Sequence, residues 1–153
     1  FSCLINKFHD SLTVIKINAL KLTDDNIQEI IKCHNLKTLR LDNAKTITDE
    51  GLIKISKLKL NSVHFTSFTL VTLEGWLQFF SSPEIKNLRK VTLANCGRVT
   101  DEVLCGIATN CKELEKISMS LCNSITTNGF NHFLENCKKI KHLVINDNSY
   151  GDI

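Results

Sequence analysis

Seven cysteines and five histidines are the residues of this chain best suited to chemistry. They could hold a zinc ion, form disulfides, or supply a nucleophile and its base. The cysteines are odd in number and form no Cys-x-x-Cys pair, so their spacing favours neither a zinc site nor a complete disulfide framework. They stand at positions 3, 33, 96, 105, 111, 122 and 137.

Four of these cysteines recur at a fixed interval. Cys96 and Cys122 are 26 residues apart, and so are Cys111 and Cys137. One recurring buried slot explains this spacing, because a thiol is small and largely apolar. We therefore expect reduced cysteines and a cytoplasmic or nuclear protein.

The remaining polar residues do not form a recognisable catalytic group. His64 and His142 fall in different predicted strands, and the Cys33-His34 pair falls in a turn between a helix and a strand. The carboxylates of Asp24 and Asp25 are explained by helix capping, and no glycine-rich phosphate loop is present. We expect a non-catalytic protein with no metal and no cofactor.

The elements that position these residues belong to a repeat. A triplet of the form L-x-x-L-x-L begins at Leu12, Leu36, Leu60, Leu88, Leu114 and Ile140. Each triplet alternates like a strand with one buried face, and a stretch of helical apolar spacing follows it. One strand and one helix per repeat cannot bury their apolar faces alone, so repeats must stack. The predicted fold is an α/β solenoid of about six repeats, with a curved parallel sheet on the concave side and helices on the convex side.

Polar residues before each helical stretch predict where the helices begin. The predicted caps are Thr23-Asp24, Thr48-Asp49, Thr100-Asp101 and Thr126-Thr127, with Asp152 at the same position of the sixth repeat. Their side chains can accept from the free N–H groups of the first turn. We expect residues 1–153 to form a single domain that is a segment of a longer solenoid.

Two stretches of the chain resemble a known family. Residues 88–104 and 114–126 are similar to the cysteine-containing subclass of leucine-rich repeats, and Cys33, Cys111 and Cys137 match a second cysteine position of that subclass. The subclass is most familiar from F-box/leucine-rich-repeat proteins, the substrate receptors of Skp–cullin–F-box ubiquitin ligases. The resemblance implies that the repeats hold a protein substrate, while an F-box outside this segment docks a Skp-type adaptor. Cysteine-type repeats also occur in scaffolds and regulators that have no ligase role.

Composition limits the other partners. The 153 residues are 42% hydrophobic with a formal net charge of +3, which suits one soluble domain. No apolar run approaches the roughly 20 residues that a membrane helix needs. Few arginines and no aromatic residues interleave with the lysines of the predicted strands, which argues against nucleic acid.

The exposed strand positions predict where a partner binds. In each strand, buried residues alternate with residues that face the concave side. The predicted partner-binding residues are Lys16, Thr38, Arg40, His64, Lys90, Thr92, Lys116, Ser118 and His142. The turns after the strands, with Ala19, Ser67 and Asp147, are predicted to be exposed beside them. Because Lys, Arg and His outnumber the acids here, we expect an acidic or phosphorylated protein segment as the partner.

The third repeat is irregular. Residues 69–83 are rich in bulky apolar side chains, with Leu70, Trp76 and Phe80 on one helical face, and Pro83 is predicted to end the helix. Two interpretations are open: Trp76 and Phe79 fill a wide gap inside the repeat, or one of them is an exposed contact point on the convex side.

Overall fold

The computed structural model describes residues 2–146, apart from the side chains of Ser2 and Leu4, and it shows helices alternating with strands. The helices are α1 (Ser2–Phe8), α2 (Asp24–Ile30), α3 (Asp49–Ile55), α4 (Leu73–Ser81), α5 (Asp101–Asn110) and α6 (Thr127–Asn136). The strands are β1 (Val14–Asn18), β2 (Thr38–Asp42), β3 (Ser62–Thr66), β4 (Lys90–Ala94), β5 (Lys116–Ser120) and β6 (His142–Asn146). A 3-10 helix, Pro83–Asn87, lies between α4 and β4. The predictions for Asp147 and Asp152 fall outside the described residues.

The six strands form one parallel sheet in the order of the chain, β1 to β6. Their register follows the predicted repeat, since Leu39 pairs with Ile15 on one side and with Val63 on the other. Each helix contacts the next one along the chain. The predicted α/β architecture with a parallel sheet is therefore confirmed.

The core lies between the sheet and the row of helices. The triplet residues of the second to fifth repeats are at most 1% exposed, and they join the buried helix residues in one continuous cluster. The sixth repeat differs, because Leu143 is 41% exposed. Its strand β6 has a neighbouring strand on one side only, and no described helix follows it.

The recurring cysteines occupy buried slots, as the spacing predicted. Cys33, Cys96, Cys111, Cys122 and Cys137 are buried, Cys3 and Cys105 are exposed, and none of them forms a disulfide with another described residue. Ala44 and Phe68 fill the slot of Cys96 in the second and third repeats, and both are fully buried. The Sγ atom of Cys96 lies 3.4 Å from the carbonyl oxygen of Ala94, so the thiol can donate within the turn.

Threonines begin the helices as predicted, at Thr23, Thr48, Thr100 and Thr126, and Thr72 is a further cap that begins α4. The hydroxyl of Thr126 accepts from the N–H of Gly129 at 3.2 Å. Thr100 is an exception to the expected capping bond. Its hydroxyl donates to the Glu102 carboxylate, and it makes no side-chain capping bond.

The aspartates that follow the capping threonines link neighbouring repeats. Asp49, the first residue of α3, accepts from the N–H and the hydroxyl of Thr72 at 2.8 and 2.6 Å. Asp101 accepts from the same two groups of Thr126 at 2.7 and 2.6 Å. Asp24 does so with Thr48. We call these contacts the Asp–Thr ladder; each gives two hydrogen bonds from one repeat to the next.

A glycine makes room for every step of this ladder. A Cβ atom added at Gly51, Gly75 or Gly129 would overlap the carboxylate of Asp24, Asp49 or Asp101, respectively. Each of these glycines is the third residue of its helix. The carboxylate thus occupies the space that a larger side chain would fill.

The ladder is interrupted between the third and fourth repeats. Leu73 stands where α2, α3 and α5 begin with Asp, and Val103 stands where the next helix would have Gly. Val103 is fully buried and Leu73 packs against the core. Apolar residues therefore replace the hydrogen-bonded step at this one junction of the described repeats.

Aromatic side chains fill the third repeat. Trp76, Phe79 and Phe80 of α4 are fully buried and contact one another, with the rings of Trp76 and Phe68 5.8 Å apart. Burial confirms the first interpretation of this segment and overturns the exposed contact point. The placement of Leu70 on the helical face was wrong: it precedes α4, which begins after the Thr72 cap, and it is 54% exposed.

Candidate functional site

One face of the sheet is the candidate site. Successive helices pack against each other over the buried face, and no element of residues 2–146 covers the opposite face. We call this uncovered surface the open face. Parallel pairing aligns equivalent residues about 4.8 Å apart, so side chains of one type of position form rows across the strands.

Two rows contain the predicted partner-binding residues. The central row is Lys16, Arg40, His64, Thr92, Ser118 and Val144. The first row, nearer the start of each strand, is Val14, Thr38, Ser62, Lys90, Lys116 and His142. All nine predicted residues thus lie on the open face. Whether a partner uses them stays a prediction.

An ionic cluster lies at the β2–β3 part of the central row. The Nε atom of Arg40 lies 2.7 Å from one carboxylate oxygen of Asp42, and the Nε2 atom of His64 lies 3.2 Å from the other. Burial, and then the nearby Arg40 guanidinium, lower the pKa of His64, while Asp42 acts in the opposite direction. His64 therefore gains its positive charge only at a pH below the ordinary range of a histidine, and Asp42 offsets the charge of Arg40 locally.

The lysines of the open face are not offset in this way. No carboxylate of the described residues lies within 4.0 Å of the ammonium group of Lys16, Lys90 or Lys116. Lys90 and Lys116 are also direct neighbours across β4 and β5. The positive potential of the open face is thus strongest along the first row, at the fourth and fifth repeats.

The turns that follow the strands are less open than predicted. Ala19 is fully buried, because it takes the apolar slot that Ala44 and Cys96 take in later repeats. Ser67 is only 7% exposed and receives a hydrogen bond from the Asn95 side chain at 3.2 Å. Both residues were wrongly placed among the exposed positions.

The residue before the slot has a left-handed backbone in four repeats, at Asn43, Ser67, Asn95 and Leu121. Asparagine tolerates this conformation, but a leucine there is a genuine outlier. Leu121 is also 47% exposed. It places an apolar side chain at the edge of the open face.

Two further features lie outside the open face. Cys105 Sγ of α5 lies 4.0 Å from His132 Nε2 of α6, and no third side chain of the described residues bonds to that ring. A groove of about 640 Å³ opens at the junction where the Asp–Thr ladder is interrupted, and Leu70, Leu73, Leu77 and Arg98 line it. None of the described helices is long and apolar enough to cross a membrane.

Comparisons with known proteins identify the fold. A chain of the crystal structure of the Rad7 and Elc1 complex in yeast superposes with a TM-score of 0.67 at 19% identity, over 80% of this chain and 32% of that one. Leiomodin-1 actin-binding site 2 superposes with a TM-score of 0.65 at 16% identity, over 90% of this chain and 87% of that one. No protein-family model matches the sequence. The chain spans about a third of the Rad7–Elc1 chain that it matches.

These likenesses and the parallel sheet agree on a leucine-rich-repeat-like solenoid. At 19% and 16% sequence identity, these likenesses establish the fold and do not identify functional residues. The cysteine-containing subclass stays a prediction from the sequence motif.

Proposed function

We propose that this chain is a protein-binding leucine-rich-repeat module and the substrate-recognition part of a Skp–cullin–F-box ubiquitin ligase. The observation that carries the binding role is the open face, a sheet surface left uncovered by the described chain and lined by unpaired lysines. Function is argued from such a site, because one fold serves many functions.

The partner is a protein with an acidic or phosphorylated segment. Phosphate and carboxylate groups form strong charge-assisted hydrogen bonds with lysine, and Lys16, Lys90 and Lys116 are free to make them. The role is non-catalytic: the chain holds a substrate while other subunits act on it. Nucleic acid is disfavoured by the absence of stacking aromatics among the described residues of the open face.

The names of the neighbours support protein binding in general terms. One structure is of a complex with Elc1, and the other is titled an actin-binding site. The second neighbour, which this chain nearly matches in length, favours the alternative: a leucine-rich-repeat scaffold or regulatory interaction domain without a ligase role.

Binding of a Skp-type adaptor discriminates between the two roles. The full-length protein that contains this chain is expected to bind purified Skp-type adaptor through an F-box outside the chain, measured by size-exclusion co-elution. Deleting residues 1–153 should leave adaptor binding intact and abolish substrate capture. A full-length protein that does not bind the adaptor rules out the ligase role and leaves the scaffold.

The open face itself is tested by charge reversal. Lys16→Glu with Lys90→Glu should lower the affinity for the captured substrate roughly tenfold or more, since two attractive contacts become repulsive. Lys21→Glu with Lys45→Glu is the matched control, because both lysines are exposed in turns beyond the open face. Equal affinities for both double variants would contradict the proposal.

A further inference from the structure

Lysines and arginines concentrate at one edge of the sheet, where each helix leads into the next strand. Residues 86–90, 112–116 and 138–142 contain eight Lys or Arg and two Glu. Their formal surplus of six positive charges is twice the +3 of the entire chain. We call these three segments the basic edge.

The backbone brings the three segments side by side. The N–H groups of Glu115 and Lys116 both donate to the carbonyl of Arg89, at 2.9 Å each. In the next repeat, the N–H groups of Lys141 and His142 donate to the carbonyl of Glu115, at 2.8 and 3.1 Å. The basic edge is therefore one contiguous surface, and it meets the first row of the open face at Lys90 and Lys116.

Four of the eight basic side chains form an ion pair or a hydrogen bond with a nearby residue. Arg89 and Lys141 share the carboxylate of Glu115, at 3.2 and 3.8 Å. Lys139 pairs with Glu113 at 2.6 Å, and Lys112 donates to the carbonyl of Ala108 at the end of α5. The Lys112 contact stabilises the end of α5, and the three ion pairs join the turns of neighbouring repeats.

The other four cations have no such role. Lys86, Lys90, Lys116 and Lys138 have no carboxylate within 4.0 Å among the described residues. The one further acid at this edge, Glu84, lies 4.0 Å from Lys59 of the preceding repeat. Four unpaired ammonium groups on three adjacent turns leave a positive field that an anionic partner would neutralise.

We propose that the basic edge of the fourth to sixth repeats binds a run of acidic residues in the partner protein. The inference rests on the proposed binding function and names the partner's chemistry and where it docks. Three strands span about 10 Å, the length of roughly three extended residues, so three or four consecutive carboxylates or phosphates can lie across them. From there the partner continues onto the open face past Lys90 and Lys116.

An acidic peptide tests this directly. Fluorescein-labelled octaglutamate is titrated with the full chain, and its anisotropy is measured at low and at physiological salt; octaglutamine serves as the neutral peptide. Octaglutamate should bind, and its affinity should fall several-fold as the salt concentration rises, because charge contacts are screened. Octaglutamine should not bind. Equal binding of the two peptides, or no binding of octaglutamate, would overturn the inference.

Charge reversal locates the site. Lys86→Glu with Lys138→Glu changes the basic edge without touching the open face, and Lys21→Glu with Lys45→Glu changes the net charge by the same amount elsewhere. The first variant should weaken octaglutamate binding roughly tenfold, and the second less than twofold. An equal loss of octaglutamate affinity in the two variants would mean that net charge alone attracts the peptide, and it would overturn the inference. Circular dichroism checks that both variants are folded.

Two outcomes distinguish this inference from nucleic-acid binding at the basic edge and from substrate binding on the open face alone. A labelled single-stranded oligonucleotide that binds more tightly than octaglutamate, and is lost in the Lys86→Glu, Lys138→Glu variant, would make the basic edge a nucleic-acid site and overturn the inference. Substrate capture that survives this variant but fails in Lys16→Glu, which changes the open face outside the basic edge, would uphold the proposed function and reject the basic edge as the anchor.

Discussion

Single residues in this protein matter most where neighbouring repeats touch. An aspartate at the start of a helix reaches across to the next repeat, and a glycine there leaves space for it. The capping threonines were predictable, because Thr and Asp before an apolar helical stretch begin helices. The partner of each aspartate was not predictable from one repeat in isolation. The signal was nevertheless present: Gly51, Gly75 and Gly129 follow an Asp in the preceding repeat, whereas Val103 follows Leu73.

The Asp49–Gly75 contact gives a prediction about stability. Gly75→Ala should destabilise the chain by about 1–2 kcal/mol, because the added methyl group displaces Asp49 from Thr72 and two hydrogen bonds are lost. In an Asp49→Ala background the same change should be neutral or stabilising, since alanine favours the helix and nothing is displaced. Urea denaturation of the four proteins measures this double-mutant cycle.

Gly106→Ala is the matched control for that cycle. Its added Cβ would meet its nearest side-chain atoms, in Leu77 and Phe80, at 4.0 Å, which is ordinary contact. We expect up to about 1 kcal/mol of stabilisation from the better helix propensity. If Gly106→Ala lowered the free energy of unfolding as much as Gly75→Ala does, helix geometry and not the Asp49 carboxylate would be the reason that alanine is unfavourable at both positions.

Among the elements, α4 departs furthest from the repeat pattern. Its apolar spacing predicted a helix and Pro83 predicted its end, but periodicity could not decide whether the extra aromatics point inward. Packing decides it: Phe65, Phe68 and Trp76 form one tilted aromatic group against the sheet. The Nε1 atom of Trp76 has no hydrogen-bond partner among the described residues, so apolar contact alone holds the indole.

The emission of Trp76 reports on this packing. The chain has one tryptophan, and it is fully buried. Its fluorescence should be blue-shifted and poorly quenched by acrylamide in the native state, and should shift to the red with full quenching in urea. Trp76→Phe should cost less than Trp76→Ala, which removes about 3–5 kcal/mol of buried contact. A red-shifted, easily quenched native spectrum would contradict the buried placement.

The whole molecule was largely predictable because its repeat leaves few alternatives. Six aligned triplets required six stacked strands, and the cysteine interval required a buried slot. The charges of the open face were harder to assess. Pairing of Arg40 with Asp42, and the lowered pKa of His64, depend on contacts between strands that a linear pattern does not reveal. The basic edge also spans three repeats, and its charges are separated along the chain by helices and strands.

The buried thiols give the whole molecule a pH dependence. Burial raises the pKa of Cys96 and of Cys111 to about 12 and that of Cys137 to about 11. A thiol in the unfolded chain ionises near about 8.5, so above that pH unfolding releases protons and the folded state loses stability. Below about pH 8 the thiols stay protonated in both the folded and the unfolded state, so they do not make the free energy of unfolding depend on pH.

The free energy of unfolding should therefore stay level from about pH 7 to 8 and fall above about pH 9, by up to about 1.4 kcal/mol per pH unit for each thiol. Urea midpoints measured under reductant between pH 7 and 10 test this. A Cys96→Ala, Cys111→Ala variant should start less stable but lose stability more slowly with pH. An unchanged slope in that variant would assign the effect to other groups.

The interruption at Leu73 has a mechanical consequence. On either side of Leu73, paired hydrogen bonds fix the spacing of neighbouring helices. The α4–α5 junction is instead held by apolar contact. Apolar contact tolerates sliding more readily than hydrogen bonding does, because it is non-directional. Bending of the stack should concentrate at this seam. The chain would then behave as two stiff blocks on a compliant joint, with the groove beside Leu70 widening or narrowing as the blocks flex.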